Sequence, residues 1–442
     1  MTTRRRFLRN TAAAVAAPTI IPSSALGLGD RPAPSERITM AYLGYGTIAH
    51  HTIGEFLKDK RVQLIAICDP NEEGKQYGYS GELTGGRAAG KQRVDAHYGN
   101  ADCRTHADFR EVLAAADVDS INIATPDHWH AIMAIEGARA GKHIYGQKPL
   151  ALTVDQGRKM SDAVKEAGIT WQTGSQQRSD TRFRMAAEFV RNGRLGKVTT
   201  VKVGLPGGHN NWNQQADQKG EAEVPGNFDW NQWLGPAPVR PYSHALHPLQ
   251  WRHNFDFSGG MITDFGAHHI DIAQWALDKE ATGPVLFSEG SATLPDPGEL
   301  YNTPTAFSYK ATYQDGTVLD ISDSHPTGCT FIGDNGRSLY VDRGKLEFTP
   351  YTLAREKIQD DEIKLYESKN HYANFIDCVY SGEECIAPIE AAHRTISIAH
   401  LGNIMLRLGR KQLKWDPDTE QVEGDERATA MLSREMRAPY SI

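Results

Sequence analysis

Ile38-Thr39-Met40-Ala41-Tyr42-Leu43-Gly44-Tyr45-Gly46-Thr47-Ile48-Ala49, followed further on by Val62-Gln63-Leu64-Ile65-Ala66-Ile67-Cys68-Asp69, is the stretch that decides how this chain folds. The apolar run 38–43 suits a parallel strand buried on both faces. Gly44 permits a tight turn, and Gly46 lets the backbone approach a pyrophosphate held at a helix N-terminus. Ala49 stands where a third glycine often sits and is still small enough for close helix–strand packing. Ala49, Ile53, Phe56 and Leu57 share one helical face by their spacing. Asp69 closes the second strand, where its carboxylate would accept hydrogen bonds from an adenosine ribose and repel a 2′-phosphate. A glycine pair alone is weak. Strand, turn, helix, strand and acid in that order predict a dinucleotide-binding βαβ unit, with NAD rather than NADP as cofactor.

With 442 residues the chain is long enough for two domains with proper cores. Its 39% hydrophobic and 23% charged residues describe an ordinary globular protein, and a net charge of −7 argues against nucleic acid as the main partner. The cysteines at 68, 103, 329, 378 and 385 contain no CxxC spacing, so they suggest neither a zinc ribbon nor a disulfide framework. Residues 1–35 read as a targeting segment and linker. Thr3-Arg4-Arg5-Arg6-Phe7-Leu8-Arg9 has the look of a twin-arginine export signal. The apolar run Thr11–Ile21 behind it is too short for a stable membrane span. The expectation is export by the twin-arginine machinery to the periplasm or another extracytoplasmic space. That route carries folded proteins, so a cofactor would be loaded first.

The first domain is expected over 36–173 as a Rossmann-type parallel sheet. A long glycine-bearing insertion, Asn71–Gly99, borders either the adenosine end of the cofactor or an oligomer contact. Helices are expected over Phe109–Ala116 and Ala131–Ala140, with strands over Ser120–Ala124, His143–Tyr145 and Ile169–Thr173. Residues 174–442 read as an α+β domain with an open, largely antiparallel sheet serving substrate and oligomer contacts; a homo-oligomer is expected. Strands are predicted over Val198–Val203, Val285–Ala292, Ala306–Tyr313, Thr317–Ser322 and Ser338–Val341. Helices are predicted over Phe183–Asn192, Asp264–Leu277, Tyr372–Tyr380 and Ala391–Leu408. Asn210–Pro241, rich in Asn, Gln, Trp, Pro and Gly, predicts a long ordered loop over a polar ligand.

Three residues stand out chemically. Lys148 lies just past a strand, and Pro149 keeps it out of helical geometry, so it can reach a reacting hydroxyl. Asp264 and His268 are four apart and would share one helical face. A histidine near neutrality is a natural general base for an alcohol, and a neighbouring carboxylate would orient it and stabilise its imidazolium. Gly259, Gly260 and Gly266 around the pair suggest close backbone approach. His244, His247, His253, His268 and His269 are concentrated in sequence, but with no HExxH or cysteine set they read as hydrogen-bonding groups, and no metal is expected. Trp212, Trp230, Trp233 and Trp251 either stack on a carbohydrate or anchor the loop. Arg178, Arg252 and His269 are candidate substrate contacts.

These motifs together resemble the glucose–fructose oxidoreductase/inositol dehydrogenase (Gfo/Idh/MocA) family, from about Arg37 to Asp416, and more closely its exported bacterial members. Gly44, Gly46, Thr47, Ile48, Ala49 and Asp69 match the cofactor fingerprint. Ala124-Thr125-Pro126-Asp127-His128-Trp129-His130 matches the third-strand loop that lines the cofactor. Gln147-Lys148-Pro149 matches a signature that usually reads Glu-Lys-Pro. Gly259-Gly260-Met261-Ile262-Thr263-Asp264-Phe265-Gly266-Ala267-His268 matches the segment carrying the catalytic acid and histidine. The resemblance implies cofactor contacts at these fingerprint residues, at Thr125, Pro126, His128 and His130, and at Gln147, Lys148 and Gln176. It implies catalysis by Lys148 and His268 with Asp264 as partner. Gln147 departs from the pattern: it can hydrogen-bond a ribose but brings no charge to hold Lys148.

Three functions follow as expectations. The first is an exported NAD-dependent oxidoreductase acting on a CH–OH group of a sugar, sugar alcohol or glycoside, with tightly bound NAD. The second is an NAD-dependent glycoside hydrolase that oxidises a ring carbon transiently; some such family members lack the lysine retained here. The third is a non-catalytic NAD- or sugar-binding protein, which predicts no change of nicotinamide absorbance with any substrate.

Overall fold

The computed structural model describes residues 32–442. The twin-arginine motif and the apolar run behind it lie outside the described residues. The first sheet contains β1 (Ile38–Leu43), β2 (Val62–Cys68), β5 (Arg104–His106), β6 (Ser120–Ile123), β7 (His143–Gly146) and β8 (Trp171–Thr173). Its order is β5-β2-β1-β6-β7-β8 and every pairing is parallel. Strand order reverses between β1 and β6, which opens a crevice at their C-terminal ends. Both faces are covered. Met40 and Tyr42 pack into one apolar cluster with Ile53, Phe56 and Leu57, while Ala41 and Leu43 join another with Val112, Ile132 and Ile135.

The insertion after Asp69 forms a small hairpin, β3 (Gly74–Tyr77) with β4 (Leu83–Gly85), and a helix, Arg87–Tyr98. The hairpin folds back over the fingerprint: Gly78 N donates to Thr47 Oγ1 at 2.9 Å.

The second sheet has nine strands, ordered β15-β14-β13-β9-β12-β11-β10-β16-β17. They are β9 (Val198–Gly204), β10 (Leu286–Thr293), β11 (Ala306–Thr312), β12 (Val318–Ser322), β13 (Gly328–Gly333), β14 (Ser338–Asp342), β15 (Lys345–Thr349), β16 (Gln412–Asp416) and β17 (Gln421–Val422). Only β9 and β12 run parallel; the other pairings are antiparallel. Apolar residues of one sheet face pack against the helices Thr181–Arg191, Gly266–Leu277 and Ile389–Arg407.

Two helices from late in the chain tie the halves together. Ile389–Arg407 packs on Val154–Ala167 of the first half as well as on Gly266–Leu277. His371–Ser381 sends Tyr372 and Phe375 against Phe56 and Tyr145, with ring centroids 5.3–6.3 Å apart for Phe56–Tyr145, Phe56–Tyr372 and Phe56–Phe375.

The helix expected over Asp264–Leu277 is instead two pieces, Met261–Asp264 and Gly266–Leu277, jointed at Phe265. A continuous helix would give the Asp264 carbonyl to the N–H of His268. Here Lys148 Nζ takes that carbonyl at 3.0 Å, and His268 N donates to Phe265 O at 3.0 Å.

Candidate active site

The cofactor crevice starts at the end of β1. Gly44 has φ +88°, and a Cβ there would lie 2.7 Å from the Ala124 carbonyl oxygen, so only glycine fits. Gly46 caps the helix Thr47–Lys58, whose start has no side-chain cap, which leaves backbone N–H groups free to meet an anion. Asp69 Oδ2 accepts from Tyr45 N and Oδ1 from Asn71 N, both at 2.8 Å. Burial pushes this carboxyl up to about 6. Leu43, Gly44, Gly46, Thr47, Ile48, Asp69, Thr125 and Pro126 line one wall. The opposite wall is Trp233, His247, Pro248, Leu249, Trp251 and Arg252, all from the long segment between β9 and the Met261–Asp264 helix.

Tyr77 of the inserted hairpin closes this end. Its ring lies 3.3 Å from where a Cβ on Gly46 would stand, and its hydroxyl accepts from Asn71 Nδ2 (3.2 Å) and reaches His247 Nε2 (3.0 Å). Burial holds the His247 imidazole down at about 3, so its ring stays a neutral acceptor for that hydroxyl. The insertion therefore borders the crevice.

The crevice runs into a second cleft of about 520 Å³ through shared residues Ile48, Thr125, Trp251 and Arg252. That volume is of small-molecule size. Gln147, Lys148, Gln176, Asp264 and His268 all line it. Lys148, at the end of β7, places Nζ 2.6 Å from Asp264 Oδ1, and Arg252 Nε lies 3.9 Å from the same oxygen. Burial alone would raise the Asp264 carboxyl, but the Lys148 and Arg252 charges hold it below the usual carboxylate range. His268 is buried and its Nδ1 has no hydrogen-bond partner. Burial first, then the charges of Lys148 and Arg343, hold its pKa well below the ordinary value, so the ring is a neutral imidazole. The Gln147 amide nitrogen is likewise buried without a partner, and Gly174 is bare because a Cβ would meet Gln147 Oε1 at 2.5 Å. An unfilled donor at the cleft wall, an uncapped helix start and a buried carboxylate at the strand end are what a nicotinamide dinucleotide needs. The residues fit that group.

Several sequence expectations are corrected. Asp264 does not orient His268: no hydrogen bond joins the two, and the carboxylate pairs with Lys148 and Arg252. Arg178 is not in the cleft. It is 2% exposed and clamped by Asp271 (2.6 and 2.7 Å) and Glu280 (2.6 Å), a buried ionic tie between helices. His269 turns away beneath the second sheet, where Nδ1 donates to Gly204 O at 2.8 Å and Nε2 lies 3.8 Å from Asp342 Oδ1. His128 and His130 sit beside the crevice without lining it. His128 Nε2 bonds Trp233 O at 3.0 Å and anchors the opposite wall; His130 bridges Thr125 O (2.9 Å) and Pro149 O (2.8 Å), joining the turn after β6 to the loop that carries Lys148.

The tryptophans divide. Trp230 and Trp233 stack at 4.6 Å and anchor the long segment, whereas Trp212 and Trp251 line the cleft with the Arg252 guanidinium over both rings, at 5.6 and 4.3 Å. Among the described residues no three His, Cys, Asp or Glu side chains converge as metal ligands. Sequence reasoning missed Arg343, Tyr372 and Tyr79, which also line the cleft, and gave no role to Asp127, whose Oδ2 accepts from Ser258 Oγ at 2.6 Å. Asp127 lay inside a recognised motif; Arg343, on a hairpin turn, carried no signal.

Comparison with known proteins agrees with this architecture. Residues 38–175 match the profile described as "Oxidoreductase family, NAD-binding Rossmann fold" (GFO_IDH_MocA), and residues 179–442 match "Oxidoreductase family, C-terminal alpha/beta domain" (GFO_IDH_MocA_C2). Among curated relatives, the uncharacterized oxidoreductase YrbE of Bacillus subtilis is 27% identical over 219 residues, 49% of this chain and 52% of that protein. Levoglucosan dehydrogenase of Pseudarthrobacter phenanthrenivorans is 28% identical over 39% of this chain and 36% of its own length. The scyllo-inositol 2-dehydrogenase (NAD(+)) of B. subtilis is 25% identical over 62% and 71%. The chain thus spans about half the length or less of the first two.

Among solved structures, the WlbA dehydrogenase of Bordetella pertussis, in complex with NADH and UDP-GlcNAcA, aligns over 86% of this chain and 99% of its own with a TM-score of 0.60 at 18% identity. Aldose-aldose oxidoreductase of Caulobacter crescentus gives the same TM-score, coverage and identity; both establish the fold. With a parallel nucleotide sheet, a second open sheet and family profiles matched over residues 38–175 and 179–442, the chain belongs to the Gfo/Idh/MocA oxidoreductase family.

Proposed function

We propose that the protein is an exported NAD-dependent oxidoreductase acting on a CH–OH group of a sugar, sugar alcohol or glycoside, with its cofactor held tightly. The observation that carries this reading is that a neutral imidazole, His268, and an ammonium, Lys148, face one cleft continuous with the dinucleotide crevice. The glycine turn and the start of the Thr47–Lys58 helix would hold the pyrophosphate, Asp69 the adenosine ribose, and Gln147 and Gln176 the nicotinamide end. The Asp69 carboxylate favours NAD over NADP. When bound, the nicotinamide supplies the acceptor for the carbinol hydrogen and its electron pair.

The chain's own residues do the rest. His268 removes the hydroxyl proton, for which it must be neutral. Lys148 donates to the substrate oxygen and stabilises its developing charge. Asp264 holds Lys148 by both its carboxylate and its carbonyl, so the ammonium is aimed before substrate arrives. Relatives named as inositol and levoglucosan dehydrogenases support a carbohydrate substrate.

Tight retention is supported by the cover over the adenosine end, where Tyr77 and the Trp233–Arg252 wall would have to open before a dinucleotide could leave. A retained cofactor outside the cytoplasm must be restored in place, and this favours either a second substrate or a redox-neutral glycoside hydrolysis on the same residues. One experiment tests the reading: denature the purified protein, measure released NAD(H), and screen sugars and glycosides for reduction or bleaching of the bound cofactor. A protein that releases no nicotinamide, takes up none and responds to no sugar overturns it. Export is tested apart, by replacing Arg4 and Arg5 with lysine; the precursor should then stay in the cytoplasm.

A further inference from the structure

We propose that Arg343 selects a substrate bearing one negative charge, so that the cleft takes a sugar acid with a free carboxylate rather than a neutral sugar. The proposal names the substrate class for the oxidoreductase site above and rests on that reading. Arg343 lies at a turn of the second sheet and stands beside Phe265 and His268 in the cleft lining. It sits on the turn between β14 and β15, where Asp342 pairs with Lys345 and Gly344 adopts φ +80°. Its guanidinium carbon stands 5.9 Å from the centre of the Phe265 ring, beside His268 in the cleft wall. With the Gln177 amide turned so that its nitrogen donates to His268 O (3.2 Å), its oxygen accepts from Arg343 Nε at 3.3 Å. That fixes one edge of the guanidinium. Among the described residues no carboxylate pairs with Arg343.

The side chains lining the cleft carry one more positive than negative charge, and Arg343, which supplies it, is solvent-exposed. The lining holds three permanent cations, Lys148, Arg252 and Arg343, against two acids, Asp127 and Asp264. Asp264 Oδ1 lies between Lys148 and Arg252. Asp127 is tied to Ser258, and burial raises its pKa, which reduces its countercharge further. Arg343 is left over. A planar guanidinium with one edge fixed and its outer nitrogens free matches the fork of a carboxylate. The surplus of one positive charge fits a carboxylate better than a phosphate dianion. The position also fits the chemistry: Arg343 is close enough for its charge to act on the His268 imidazole, so one small ring could place its carboxylate on Arg343 and a hydroxyl on His268.

The test uses holoprotein and calorimetric titration with matched probes: glucose with glucuronate and gluconate, galactose with galacturonate, and each sugar with its phosphate monoester. At least one acid should bind about tenfold or more tightly than its neutral partner, in line with a charge-assisted hydrogen-bonded pair. Arg343→Gln should bring that ratio close to one, and Arg343→Lys should restore part of it, while NAD content measured after denaturation stays at the level of the unaltered protein. The proposal is overturned if no acid is preferred, if the preference survives in Arg343→Gln, or if that variant loses its NAD, which would assign the charge to the cofactor. A phosphate monoester bound better than every carboxylate overturns the carboxylate assignment. Binding is read without turnover. An acid that binds through Arg343 yet is never oxidised would therefore sink the oxidoreductase reading and leave this one standing.

Discussion

The dinucleotide crevice and the cleft beside it meet at four residues, yet they are built in opposite ways. One wall of the crevice comes from a single strand–turn–helix–strand unit, Leu43 to Asp69, plus the turn Thr125–Pro126. The cleft is gathered from distant pieces: Lys148 after β7, Trp212 and Arg252 from the long segment, Asp264 and His268 on either side of a helix joint, Arg343 from a hairpin turn and Tyr372 from a late helix. A local site is fixed by backbone geometry and tolerates few residue types. A gathered site is fixed by packing far from the chemistry, so its members can look ordinary along the chain, and residues that look chemical can turn out to be struts.

The sharpest way to break this comparison is at the two adjacent histidines. His268→Asn should lower turnover by roughly two to four orders of magnitude with NAD retained, the usual worth of a general base. His269→Asn should act on folding, because its partner is the Gly204 carbonyl under the sheet. Steady-state kinetics beside a melting curve separates them, and the reverse pattern would move the base. The pH dependence has a definite sign. Activity should rise with pH through the depressed pKa of His268 and be level by neutrality, falling only on the acid side.

Next in size is Arg178, which separates strut from substrate contact. Arg178→Met leaves the Asp271 carboxylate buried beside an apolar side chain, and denaturant unfolding should show a loss of about 3–5 kcal/mol. A variant of unaltered stability but raised KM would return Arg178 to the substrate.

The crevice supplies a smaller effect. Asp69→Ala should weaken NAD binding by about 1.5–3 kcal/mol and reduce the discrimination against NADP. Since burial places the Asp69 carboxyl at about 6, NAD affinity should fall as pH drops through that value, and Asp69→Asn should flatten the dependence. Fluorescence titration at several pH values reads both. Smallest is Tyr77→Phe, which removes the hydroxyl's hydrogen bonds to His247 and Asn71. It should speed NAD loss on dialysis by a few-fold, consistent with about 0.5–1.5 kcal/mol. Unchanged retention would mean that the hairpin is not part of the cover.

The parallel sheet was legible because buried strands and the glycine turn leave local signatures, and β1, β2, β6 and β7 fall where the apolar runs predict. β13, β15 and β16 were not foreseen. Gly328–Gly333 is bounded by glycines that read as turn residues, whereas Lys345–Thr349 alternates polar and apolar residues and carried a strand signal that went unread. The helical spacing of Asp264 and His268 was correct, but the inference from it failed, because Lys148 and Arg252 draw the Asp264 carboxylate to themselves. Lys148, Asp264 and His268 were placed in one cleft by resemblance; their partners were not, since partners depend on which side chains arrive from elsewhere. Arg343 shows the same limit from the other side.

The late helix His371–Ser381 has a consequence for how the polypeptide is made. Phe375, Ile376 and Cys378, with Cys385 just beyond, complete an apolar cluster whose other buried members, from Ile38 to Tyr145, leave the ribosome much earlier. The nucleotide-binding half is therefore born with an unfilled socket next to Phe56 and cannot finish packing until nearly all of the message has been read. Chains that stop short would keep that socket open, presenting greasy surface to chaperones and proteases.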